Sequence, residues 1–152
     1  METKKALLIA GTLAAAAVGT AYALRLRRRI PGASAAHAAA AAAYASTRAA
    51  FSPSGADVSE FDARDAQARA DADALRAAAE SVMPALPPEL AAKLQSFLDN
   101  VAAAQVQVMA FAINRKNHGV PDAAHTKTEA ADLAEFERSN QPLLNELLSS
   151  LR

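Results

Sequence analysis

The order of apolar, charged and helix-breaking positions divides the chain into blocks. Ala6 to Leu24 is nineteen residues without a charge. In helical form that length spans roughly the hydrocarbon core of a bilayer. Lys4 and Lys5 flank the run on one side, and Arg25, Arg27, Arg28 and Arg29 on the other. Tyr22 falls near the Arg-rich end, where an amphipathic ring suits the headgroup layer. The pattern predicts one N-terminal transmembrane helix. Ala21-Tyr22-Ala23 also has the small-x-small form of a signal-peptide cleavage site. The arginines that follow resist translocation, which favours a retained anchor. Their excess over the two lysines places everything after them on the inner face of the membrane. Gly11, Ala15 and Gly19 recur every four residues on one helix face. Such spacing lets a second transmembrane helix pack closely.

Pro31-Gly32 interrupts this block. Ala33 to Phe51 is then almost pure alanine, the strongest helix former, with His37, Tyr44 and Phe51 seven apart on one face. Alanine offers little apolar area, so this segment reads as a thin connecting helix lying on the membrane or on a neighbouring protein. Ser52-Pro53-Ser54-Gly55 reads as a linker, and Asp57 with Glu60 as a capping box. Val58, Phe61, Asp65, Ala68, Ala72, Leu75, Ala79 and Val82 then step by threes and fours, a helical seam that Asp65 interrupts.

Pro84 ends that helix, and Pro87-Pro88 opens another, expected over about 89–117. Its seam is Leu90, Leu94, Phe97, Val101, Ala104, Val108 and Phe111. Val106, Met109 and Ile113 make its second half apolar nearly all round, as in a helix central to a bundle or docked into a partner. Gly119 and Pro121 stop it. Thr126 with Glu129 reads as a second capping box that starts a short helix carrying Leu133 and Phe136, Pro142 as a break, and Leu143, Leu144, Leu147, Leu148 and Leu151 as a strongly amphipathic terminal helix. No stretch alternates as a strand would. The expected fold is all-α in three parts. These are a single N-terminal transmembrane helix (1–30), an alanine-rich connecting helix with its linker (31–56), and a helical bundle or docking domain of about four helices (57–152).

Composition narrows the function. The chain has 152 residues and no cysteine, which removes disulfide staples, thiolate zinc sites and thiol nucleophiles. Sixteen basic residues balance sixteen acidic ones, but residues 1–56 carry a net +6 and residues 57–152 a net −6. That split excludes a uniformly basic nucleic-acid binder. His118, Asp122 and His125 bracket one loop, at a spacing looser than that of usual zinc ligands. The acidic residues 57–73 are interleaved with Arg64 and Arg69 and followed by Arg76, the mark of a solvated, ion-paired face. There is no glycine-rich phosphate loop and no nucleophile elbow. No catalytic, cofactor-binding or metal-binding residue is predicted, and neither cofactor nor small-molecule substrate is expected.

What remains is a non-catalytic structural or accessory subunit of a larger membrane-embedded complex. Gly11, Ala15 and Gly19 would pack the anchor. Arg25, Arg27, Arg28 and Arg29 would set topology and meet lipid headgroups. Leu90, Leu94, Phe97, Val101, Val108 and Phe111 would form the core or docking surface. Partners are then other subunits and the bilayer, not nucleic acid. The alternative is a membrane-tethered receptor or adaptor whose helical domain binds soluble proteins or peptides, as in organelle protein import. The alanine-rich, acid-poor leader points to a mitochondrial membrane, with chloroplast envelope and bacterial inner membrane as alternatives.

Overall fold

The computed structural model describes residues 30–51, 58–119 and 123–152. Among these, all regular structure is helical: α1 (Ala33–Ala50), α2 (Val58–Val82), α3 (Pro88–His118) and α4 (Ala123–Ser150), with a single 3₁₀ turn at Met83–Ala85. The apolar run 6–24, with its Gly11, Ala15 and Gly19 face, lies outside the described residues. So do Arg25, Arg27, Arg28, Arg29, the linker and the cap Asp57.

Pro31–Arg152 forms one compact unit. Its helices run up and down in sequence order, and α1 touches all three others, including α3 across the diagonal. Residues 33–51 are therefore not a connector outside the bundle. Ala36, Ala40, Ala43, Thr47 and Ala50 are fully buried, spaced by four, three, four and three. With alanine at four of these five positions, this face admits neighbouring backbones at close range. The facing seam on α2 is Phe61, Asp65, Ala68, Ala72, Leu75, Ala79 and Val82, all buried. Packing density rather than side-chain size holds α1 in place.

Such an interface has no slack. Ala43→Leu is expected to cost about 1–3 kcal/mol through overpacking, while Ala42→Leu on the exposed side changes stability by less than about 0.5 kcal/mol. Denaturant midpoints measure both.

Two helix ends follow the predicted breakers. Pro88 sits in the first turn of α3, where a missing N–H loses nothing. Gly119 closes α3 with φ 78°, a backbone angle that favours glycine. Its N–H donates to the Arg115 carbonyl at 2.8 Å. Two expectations at α4 are corrected. The helix begins at Ala123, so Thr126 and Glu129 lie inside it and do not form a capping box. It also runs through Pro142 to Ser150 without a break. An internal proline costs roughly 3 kcal/mol. Keeping Leu144, Leu147 and Leu151 buried on the same face as Phe136 is worth about 1.5–3 kcal/mol for each leucine, which outweighs the kink. Asn140 adds a bond from Nδ2 to the Phe136 carbonyl at 2.9 Å, in the turn before the proline. Residues 58–152 therefore supply three helices, and α1 is the fourth member of the bundle.

Ion pairs cross three of the helix boundaries: Arg48 with Glu137 (α1–α4), Lys116 with Asp62 at 3.0 Å (α2–α3) and Lys93 with Glu146 (α3–α4). All are substantially exposed, so solvent screens them and they add little to stability. Their fixed pairings match the antiparallel register of the helices they join.

Candidate functional site

α3 has two faces of different character. Leu94, Phe97, Val101, Ala104, Val108, Ala112 and Arg115 are buried among the other helices. The predicted seam agrees as far as Val108, then slips by one, from Phe111 to Ala112. The reason is geometric: a straight helix repeats every 3.6 residues, not 3.5, so a heptad line drifts around its surface. Leu90 and Phe111 are half-buried at the margins. Leu94, Phe97, Val101 and Val108 are taken up in the bundle's own core and offer nothing to a partner. α3 is also long and apolar enough, by length and composition, to cross a membrane.

The outer face carries the apolar surface that is left over. Val106 is 62% exposed, Ile113 51% and Met109 39%. They are spaced by three and four residues and so line up on one side of the helix. Ala102 and Ala110 extend the strip. Asp99 lies at one end, accepting a hydrogen bond from Gln95 at 2.8 Å, and Lys116 at the other. On the α2 side, an open groove of about 260 Å³ adjoins the strip, lined by Arg76, Glu80, Met83, Leu98, Asp99 and Gln105 among others. Gln105 donates from Nε2 to the Ala68 carbonyl at 2.9 Å and ties α3 to α2 just beside Val106.

A second feature sits at the C-terminal end of α3. Arg115 Nη2 donates to Glu129 Oε2 at 2.6 Å, and both side chains are about 95% buried. The guanidinium lies 4.8 Å from the centre of the Phe61 ring. One buried cation thus joins α2, α3 and α4. The sequence reading gave Glu129 to a capping box and did not pair it with Arg115. The available signal was spacing: Arg115 continues the seam at 108 and 112, and Glu129 precedes Phe136 by seven.

Nearby, Tyr44 stacks on Phe136 at 5.4 Å, and Phe51 packs against Phe136 at 5.7 Å and Phe111 at 6.1 Å. Burial, reinforced by the Glu137 carboxylate, raises the Tyr44 pKa above its ordinary 10.0, against a smaller opposing pull from Arg48. The folded state holds that proton more tightly than the unfolded chain does. Its contribution is therefore complete below about pH 10 and is lost as pH rises through the raised value. Denaturant titrations above pH 10 should show falling stability, with a shallower fall in Tyr44→Phe.

His118 and His125 are exposed, and Asp122 lies outside the described residues. Among the described residues, no group of three or more His, Asp or Glu side chains is placed to hold a metal ion. Asp62, Asp65 and Asp73 of the acidic helix are ion-paired with Lys116, Arg69 and Arg76 respectively. Asp65 is itself buried and marks the polar interruption expected in the α2 seam. Comparison with protein-family models, curated proteins and solved structures gives no match, so the functional reading rests on this chain's own residues.

Proposed function

We propose that the protein is a non-catalytic structural subunit of a membrane-bound assembly, with the four-helix bundle as its docking module. The observation that carries this reading is the exposed Val106, Met109 and Ile113 strip on the outer face of a helix whose inner face is already satisfied. Scattered single apolar residues on a surface need no explanation, but three in register on one rigid helix form a face for another helix. The uncharged run 6–24 and the four arginines after it support attachment to a bilayer. The acid-poor leader favours a mitochondrial membrane over chloroplast or bacterial ones. A tethered receptor that binds passing peptides is the alternative, and the groove beside Gln105 is where such a peptide would lie.

The test is co-purification of the full chain in mild detergent, followed by mass spectrometry. A subunit keeps fixed stoichiometry through size exclusion, whereas a receptor loses its cargo. Val106→Asp places a charge on an exposed position, so the bundle stays folded. It should lower recovery in the assembly by roughly tenfold, the equivalent of about 1.4 kcal/mol. Unchanged recovery would end the docking reading.

A further inference from the structure

The strip has an internal symmetry that names its occupant. Asp99, Ala102, Val106, Met109, Ile113 and Lys116 step by three, four, three, four and three along α3. This is a complete helix-packing row, turned away from the core row. Read backwards, the spacing is unchanged. Laid antiparallel on a second copy of itself, the row sets Val106 against Met109, Ala102 against Ile113 and Asp99 against Lys116. We infer that the outer face of α3 pairs antiparallel with the same face of a second copy of this chain. The inference rests on reading the strip as a docking face.

Charge decides between orientations. A parallel pair would put Asp99 on Asp99 and Lys116 on Lys116, like charges at both ends. The antiparallel pair makes each end an acid–base contact. It also opposes the helix dipoles, which a parallel pair would align. The flanking residues agree with it. Asp62 stands 3.0 Å from Lys116, and Arg76 lines the groove beside Asp99. At each end of the pair, Lys116 and Asp62 of one copy would meet Asp99 and Arg76 of the other, two positive and two negative charges. Size matches too: small Ala102 receives the branched Ile113, and Val106 receives the longer Met109. A twofold axis between residues 107 and 108 satisfies every pairing, and a closed dimer results because the contact is isologous.

Six positions per helix bury less than the roughly 1,200–2,000 Å² of a stable standard interface. The dimer is therefore of the small, transient kind.

The chain contains no cysteine, so each introduced thiol reports one position. Full-length Ala102→Cys and Ile113→Cys variants are purified in detergent and treated with a short bifunctional thiol reagent, separately and mixed. In the antiparallel pair these positions face each other at about 8–10 Å between helix axes. Position 113 lies eleven residues, roughly 16 Å, along the axis from its own twin. The mixture should cross-link at least tenfold more than either variant alone. Adding Val106→Asp to both should abolish the link, and the unmodified chain should shift from monomer to dimer mass with concentration.

Stronger self-linking of Ile113→Cys would show a parallel arrangement and overturn the inference. A mass that stays monomeric at all concentrations would also overturn it. In that event, loss of Val106→Asp from the co-purified assembly would still support a different partner on the same face, so the two readings fail separately.

Discussion

Val108→Asp should abolish the folded bundle. The position is fully buried, and a carboxylate there has no partner in a dry seam, a cost of several kcal/mol. A domain of this size has only about 5–15 kcal/mol of net stability, so loss of soluble folded protein or a large fall in denaturant midpoint is expected. Asp73→Ala is the matched control. Its side chain is 75% exposed and pairs with an exposed Arg76 at 3.3 Å, so its removal should change stability by less than about 0.5 kcal/mol. Equal tolerance of the two would mean that α3 does not lie at the centre of the bundle.

The second large effect is at the buried ion pair. Arg115→Ala leaves Glu129 enclosed without its cation, and Glu129→Ala leaves the guanidinium without its carboxylate. Each should cost about 3–5 kcal/mol. The double replacement Arg115→Met with Glu129→Leu removes both charges and keeps volume, and it should be neutral or stabilising by up to about 4 kcal/mol. Chemical denaturation of the three variants measures the contrast. Single variants that lose less than 1 kcal/mol would show that water reaches the pair. A neutral or stabilised double variant would mean that the polar pair is retained for what it specifies: it matches one turn of α3 to one turn of α4, whereas leucine and methionine can slide.

The sequence announced the helix boundaries that rest on local chemistry. Pro84, Pro87, Pro88 and Gly119 act through their own backbones, and they ended or opened helices where expected. The core rows of α2 and α3 were also legible, because large apolar residues recur at helical spacing. What could not be read locally was competition between distant terms. Pro142 breaks a helix in isolation, but three buried leucines beyond it hold the helix together. Alanines 36, 40, 43 and 50 look too small to build a core, and by area they are. Their value lies in how near they let α2 and α3 come, which depends on residues far along the chain. The exposed strip was half visible: the apolar surround of residues 106–113 was plain in the sequence. Which side of it the bundle covers follows only once α2 and α4 are in place.

The alanine face of α1 has a consequence for how the protein would be mapped genetically. Replacement by alanine is the usual probe of which positions matter. At Ala36, Ala40, Ala43 and Ala50 that probe is the wild-type residue, so a truncation scan would pass over the alanine face of α1 and register the helix only through Tyr44 and Thr47. Random mutagenesis would say the opposite. Apart from glycine, every substitution at these positions adds volume, and among apolar newcomers harm should rise with size. Tolerance ranked by side-chain volume, with Gly and Ser mildest and Trp worst, is the signature of a helix face held by closeness.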